Sequence, residues 1–502
     1  MSAYLLLCRE LSNSLSARAT ALPNATCLAS SFSTDLVHEA GGLLAVEAQA
    51  RGAVCLLAPT VNIQRSPAGG RAFESFSEDP TVSGHVAAAY IQGLQAGGVS
   101  ATIKHFVAND QEHERNGVNV VVAQRPLREV YLRPFQIAEK VAKPWAYMTS
   151  YSRLNGTHCS ENPWLLKTLL RDEWGSDALV MSDWLGTYSA TEAINAGLTL
   201  EMPGPTMWRS RRMIETLLSA HKIKPEALDA RAAEVVAWVQ KLAKINPELA
   251  FGPKGEEKTR EDSRDKDGPL LRRLAGEGAV LLKNEGVLPL RTGKVAIIGP
   301  NAKAAVVTGG GSAQLRSAWT VSPWQGLEGT APDGVELSYS LGCVSAKFLP
   351  ILGEDFTTPD GKPGFALNHY AIVDGQVAAE PAVRDTHDVS KMLLADFRHP
   401  ALGQHYVTEI LATFTAPITG EYEFGVVVSG QGWLYVDDKL VIDNSTDQVM
   451  GESFFNNGTI EVRGTTKVEK GKVSTVHRYK QRQLTPFAEV QHPLRARLAL
   501  PS

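Results

Sequence analysis

The residues best suited to chemistry stand directly behind short apolar runs. In Ala178-Leu179-Val180-Met181-Ser182-Asp183-Trp184 a run that reads as a strand buried on both faces ends in a carboxylate and then an indole. Parallel strands covered by helices carry their reactive groups at the C-terminal ends, which makes Asp183 the leading catalytic candidate. The competing assignment has Asp183 capping a helix that starts near Thr187. Polar residues recur in the same position after earlier runs: Gly69-Gly70-Arg71-Ala72-Phe73-Glu74, then Lys104-His105, then Met148, Tyr151 and Arg153. Arg, Lys and His can hydrogen-bond several hydroxyls while an indole covers an apolar ring face, a combination that suits a sugar. Each residue also has a purely structural assignment. Arg71 could pair with Glu74 or Glu78, Lys104 could neutralise Asp110 or Asp183, and His105 could be a satisfied buried histidine.

These runs belong to a repeating alternation of helix and strand. A helix over 34–51, capped by Ser33 or Thr34 and closed by Gly52, leads to a strand at 53–58. Helices at 80–96, 127–142 and 163–174 precede strands at 100–104, 145–149 and the one ending at Asp183. Further helices at 187–196, 208–220 and 225–242, with a strand-like 198–202, continue the pattern, and the number of units favours a barrel. The predicted fold class is α/β, with an incomplete (β/α) TIM-like barrel over 31–253. Residues 1–30 show no periodicity and stand apart as an unmatched segment. The charged stretch 254–268 reads as a solvated linker. A helix at 270–279 and the strand Lys294-Val295-Ala296-Ile297-Ile298 then start a layered αβα domain over 269–345. From 346 to 472 short alternating strands, with a turn at Asp437-Asp438, give an inserted all-β domain, and 473–502 reads as a tail without a packed core.

Composition bounds the partners. At 502 residues two or three domains are expected. With 43% hydrophobic and 21% charged residues and a net charge of -4, the chain looks globular and gives no reason to expect nucleic acid. The five cysteines include no C-x-x-C pair, so neither a disulfide framework nor a zinc site is indicated. The opening Met1 to Arg9 is too short and uncharged at its start for a signal peptide, and no run could span a bilayer, so no membrane partner is expected.

The sequence resembles family 3 glycoside hydrolases, in their fungal β-glucosidase branch. The matching segments are Pro59-Thr60-Val61-Asn62-Ile63-Gln64-Arg65-Ser66-Pro67, the run from Gly69 to Pro80, Lys104-His105-Phe106 with Asn109-Asp110-Gln111-Glu112, Thr149-Ser150-Tyr151, and Val180-Met181-Ser182-Asp183-Trp184. The resemblance implies a barrel followed by an α/β domain interrupted by a PA14 β-domain, with Leu434-Tyr435-Val436-Asp437 as its recognisable core. It implies that Asp183 is the nucleophile of a retaining mechanism and that Arg71, Lys104, His105, Arg115, Met148, Tyr151 and Trp184 line the sugar site. The cationic members would also favour the ionised form of Asp183. Ser312, in a Gly309-Gly310-Gly311 loop without the Lys-Ser/Thr ending of a phosphate cradle, is a further contact by resemblance, and Phe454 or Phe455 either borders the site or is a core or surface aromatic.

The same resemblance puts the acid/base Glu after the PA14 insertion, beyond Ser502, so the chain reads as truncated at both ends, with a shortened or frame-shifted coding sequence as the explanation. Asp110, Glu112 and Glu201 are the substitutes that could be proposed for that acid. The expected function is release of terminal non-reducing β-D-glucose from small β-glucosides or oligosaccharides, without metal or organic cofactor. The alternatives are a carbohydrate-binding remnant without turnover and a chain that never folds stably. The family implies secretion while no signal peptide is visible, which leaves secreted and cytoplasmic both open, as is the oligomeric state.

Overall fold

The computed structural model describes residues 4–5, 18–248, 259–343, 347–353, 355–393, 397, 399–403, 405–451, 458–480 and 493–499, the first pair and the strands after 471 by backbone alone. The described residues divide into two compact units, one holding 4–5 and 18–340 and the other the residues from 341 onward.

In the first unit Cys55–Leu57, Ser100–Phe106, Ala146–Thr149 and Leu179–Met181 lie side by side in sequence order, all parallel and all buried. Tyr4–Leu5 adds an antiparallel strand beside Cys55–Leu57, and a parallel bridge from Met181 to Leu200 extends the other edge. Among the described residues the sheet does not close into a ring. Both faces of these strands are apolar because helices return across them. The helices Thr34–Ala50 and Pro80–Ala96 cross so closely that a Cβ on Gly93 would lie 2.0 Å from the His38 carbonyl oxygen, and one on Gly41 2.4 Å from that of Tyr90. Only glycine permits that approach. Asp79 caps the second helix through Thr81 and Val82, with Pro80 at its first position. Under the sheet ends Phe106 meets the rings of Phe135 and Tyr147 edge-on at 5.1 and 5.3 Å.

Several elements differ from the sequence reading. The helix expected over 127–142 breaks into a wide turn, Leu127–Tyr131, and the helix Arg133–Ala142, because Pro134 has no N–H to continue the ladder. The helix after Asp183 begins at Thr191, and the strand-like 198–202 contributes a bridge at Leu200 alone. Residues 25–30, set within the aperiodic opening stretch, form a helix capped by Asn24. The stretch read as a solvated linker instead carries buried charge: Arg260 bonds Glu47 at 2.9 Å and Asp267 at 2.7 Å, and Thr20 donates to both carboxylates. Opposite charges placed within bonding distance offset the cost of burying Glu47 and Asp267, while Glu261, Asp262 and residues 264–266 stay exposed. The helix following it starts at Ser263, with Pro269 inside. Beyond it Gly293–Ile298 pairs in parallel with Val335–Ser340 as a two-stranded sheet exposed along much of both strands.

The second unit is a sandwich of two antiparallel sheets. One runs, in order, Gln376–Val377, Phe365–Val373, Tyr406–Ala416, Gly471–Lys480, Gln431–Val436, Lys439–Asn444, and the other Met392–Leu393, Pro493–Ala499, Gly420–Val427, Val462–Val468. Strict alternation of burial along Tyr406–Ala416 sends Tyr406, Ile410, Ala412 and Phe414 inward, where Phe356, Phe365, Tyr422, Phe424 and Leu434 join them. Asp437 and Asp438 both take left-handed backbone angles, φ 48° and 64°, as a two-residue hairpin turn requires. The expectation of a tail without a core after 472 is corrected: Gly471–Lys480 lies between two strands in the middle of its sheet, and Pro493–Ala499 pairs with Gly420–Val427. Backbone hydrogen bonds hold both strands, and these do not depend on an apolar side-chain pattern.

Candidate active site

The strand Leu179–Met181 hands over to Ser182, whose N–H and hydroxyl tie it to Leu200 and Met202. Asp183 then opens a tight turn closed by the Gly186 N–H on the Asp183 carbonyl at 2.9 Å, with Leu185 left-handed at φ 62°. Gly186 lies against Tyr151, for a Cβ there would sit 3.2 Å from the ring. Tyr151 in turn donates to the Trp184 carbonyl at 2.9 Å. Asp183 caps no helix. Its Oδ1 accepts from the Trp184 N–H at 2.7 Å, while Oδ2 is buried without a hydrogen bond and lies 3.4 Å from His105 Nε2.

A chain of buried polar groups backs that oxygen. Arg71 makes two bonds to Glu74, at 2.8 and 2.9 Å, and its Nη1 reaches His105 Nε2 at 2.9 Å. Lys104 Nζ lies 3.9 Å from Glu74 Oε2. Burial works against every charge here. The Lys104 ammonium is pulled down to about 8, chiefly by burial and against the pull of Glu74. His105 falls well below its ordinary value through burial first and then through Arg71, Lys104 and Arg115, so its ring is neutral. Burial raises the Glu74 carboxyl, but Arg71 and Lys104 outweigh it and hold the group below its ordinary value. The Tyr151 hydroxyl is driven well up, by burial and then by Asp183.

The sequence candidates therefore separate into two sets. Asp183, Arg71, Lys104, His105 and Tyr151 come together, and Arg115 joins them with its guanidinium 4.8 Å from the centre of the Tyr151 ring and 2.5 Å from Glu112. Met148 is packed among Cys55, Leu57 and Met181, with Trp184 against the same cluster. Arg153 is exposed and bonds to His158. Ser312 is joined to this cluster by no hydrogen bond among the described residues, although its loop is near: a Cβ on Gly309 would meet the Phe73 ring at 2.4 Å. Phe454 and Phe455 lie outside the described residues.

The structural assignments also hold for the pairs they named correctly, since Arg71 does pair with Glu74 and His105 is buried and bonded. Each alternative acid is occupied. Asp110 pairs with Arg65 at 3.1 Å, Glu112 with Arg115 and Asn109, and Glu201 accepts from the backbone of Met207 and Trp208. Two residues the sequence reading passed over belong here. Asn62 bonds His105 from below, and Tyr188 stacks on His158 at 3.8 Å while donating to the Tyr151 carbonyl. Neither has a spacing signal, because their partners are 43 and 37 residues away. Among the described residues no group of three or more His, Cys, Asp or Glu could hold a metal ion, and no helix is long and apolar enough to cross a membrane.

Asp183 thus presents an oxygen without a hydrogen bond at the edge of a parallel sheet, beside His105 and within the electrostatic reach of Arg71 and Lys104. Residues 11–238 match the glycosyl hydrolase family 3 N terminal domain and residues 374–477 match the PA14 domain, so the chain carries a family 3 glycosyl hydrolase domain followed by a PA14 domain. That match begins inside the stretch 1–30 set apart on sequence grounds.

Among its relatives, the chain is 46% identical over 467 residues to probable beta-glucosidase K of Emericella nidulans, covering 91% of this chain and 54% of that protein. It is 44% identical over 489 residues to probable beta-glucosidase J of Aspergillus fumigatus, covering 94% and 55%. The solved structure of the beta-glucosidase from Kluyveromyces marxianus in complex with glucose matches with a TM-score of 0.90 at 34% identity, covering 97% of this chain and 59% of that one. The chain thus spans about half the length of the curated relatives it matches.

Proposed function

We propose that this site removes terminal non-reducing β-D-glucose from β-glucosides and β-glucan fragments with retention of configuration. In this reading Asp183 Oδ2 attacks the anomeric carbon, the bond to the aglycone oxygen breaks, and water later displaces the carboxylate from the glycosyl-enzyme. The departing oxygen takes a proton from a general acid, which the family resemblance places on the chain that follows the PA14 domain. Arg71, Lys104 and Arg115 hold sugar hydroxyls, His105 backs Arg71 with its ring, Met148, Tyr151 and Trp184 form the walls, and Ser312 approaches from the Gly-rich loop. The parallel strands from Cys55–Leu57 to Leu179–Met181, with the bridge at Leu200, are successive staves of a (β/α) barrel. The observation that carries the reading is the unbonded, buried Asp183 Oδ2 beside a neutral imidazole, with the Lys104 cation buried and the Arg71 guanidinium half-buried close by.

An activated aryl glucoside needs little help in leaving, so it is the substrate that reports the nucleophile most directly. Incubation with 2-deoxy-2-fluoro-β-D-glucosyl fluoride is expected to raise the intact mass by one deoxyfluoroglucosyl group, carried on the Asp183 peptide, and Asp183→Asn to abolish both that label and release of nitrophenol from nitrophenyl β-glucoside. A cooperatively folded protein that neither takes the label nor turns over would instead be a glycan-binding protein, and the reading would fall.

A further inference from the structure

We infer that Asn62 is a positioning residue: by fixing the proton of His105 on Nδ1 it keeps Nε2 as the acceptor that anchors the Arg71 guanidinium beside Asp183. The inference rests on Asp183 as nucleophile, but its structural half does not.

Asn62 is 4% exposed and lies on the segment that runs beside the end of Ser100–Phe106, where Val61 donates to the Lys104 carbonyl at 2.9 Å. Its amide grips His105 at three atoms. Nδ2 donates to the His105 carbonyl at 2.9 Å, and Oδ1 accepts from the His105 backbone N–H at 2.9 Å and faces ring Nδ1 at 3.2 Å. Only the NH2 group can serve a carbonyl, so the amide has one orientation and the oxygen must face the ring. A neutral imidazole that meets an acceptor at Nδ1 carries its proton there.

The other end of the ring demands the same state. Arg71 Nη1 has only protons to offer, so Nε2, 2.9 Å away, must present its lone pair. Nε2 is also 3.4 Å from Asp183 Oδ2, with no hydrogen bond between them. In the other tautomer an Nε2–H would face an Arg71 N–H, donor against donor, and the guanidinium would lose that anchor. Three bonds from one amide thus decide whether Arg71 keeps its bond to the imidazole.

The test compares the wild-type chain with Asn62→Asp and Asn62→Ala. The aspartate keeps the acceptor oxygen and loses the donor to the His105 carbonyl, whereas alanine loses both. Ring-15N-histidine NMR, with the His105 signals assigned by His105→Gln, reads the tautomer directly. Wild type and Asn62→Asp are expected to carry the proton on Nδ1, and Asn62→Ala to shift it substantially to Nε2. With nitrophenyl β-glucoside, kcat is expected to fall about 10- to 100-fold in Asn62→Ala with KM within about threefold, and to recover at least partly in Asn62→Asp.

A proton found on Nε2 in the wild type overturns the inference. So does an Asn62→Asp variant no better than Asn62→Ala in tautomer and rate, the outcome of a merely structural amide. If the wild type takes no fluoroglucosyl label, the glycosidase reading fails by itself, and the NMR comparison still decides the tautomer.

Discussion

Lys104 is a charge held where charge is expensive. Its ammonium is buried, and burial brings its pKa to about 8 despite the Glu74 carboxylate 3.9 Å away. An unfolded lysine titrates near about 10.4, so between those values the unfolded chain binds more protons, and this group's contribution to stability rises with pH across that window. Function moves the opposite way, because the cation beside Glu74 is lost as pH passes through about 8. The kcat/KM for an aryl β-glucoside, followed from about pH 6 to about pH 10, is expected to fall with a limb near that value, and Lys104→Arg, whose guanidinium stays charged, to lack the limb. Much of this cluster was legible. Asp183, Arg71, Lys104, His105 and Tyr151 follow buried apolar runs, and the topology of a parallel sheet brings such positions to one edge. Asn62 and Tyr188 were not legible, because a hydrogen bond across 40 or so residues leaves no period in the chain.

At the scale of elements, the strand that matters most to the PA14 unit is the one the sequence hid. Gly471–Lys480 pairs with Tyr406–Ala416 on one side and Gln431–Val436 on the other. Ending the chain after Lys470 is therefore expected to split that sheet and abolish the cooperative melting of this unit, as read by circular dichroism, where an irrelevant tail would leave it unchanged. The stretch Gly-Lys-Val-Ser-Thr-Val-His-Arg-Tyr-Lys contains too many polar residues to look like a central strand. By contrast Tyr406–Ala416 and Gly420–Val427 carry clear burial patterns, and their hairpin neighbours announced themselves through Asp437-Asp438. The same contrast separates the helices. Thr34–Ala50 and Pro80–Ala96 had caps and apolar stripes, while the buried pairing of Arg260 with Glu47 turned a charged linker into part of the packed unit, which composition reads in reverse.

For the whole molecule, two units each own a core: one built on Phe106, Phe135, Tyr147 and the leucines of 165–170, the other on Phe356, Phe365, Phe414 and Phe424. Scanning calorimetry is expected to resolve two transitions, and a single one with equal calorimetric and van't Hoff enthalpies would refute independent cores. The domain order was readable because the texture of the sequence shifts from a 3.6-residue period to alternation near residue 350. Ring closure was not, since it depends on how many strands meet and how they tilt. The pair Gly293–Ile298 and Val335–Ser340 is a different matter, for Ile298 is 69% exposed and Leu282, on the segment that leads to these strands, 91%. Grease left facing water invites holdase chaperones and other copies of the polypeptide, so soluble yield in a host cell would fall as growth temperature and synthesis rate rise.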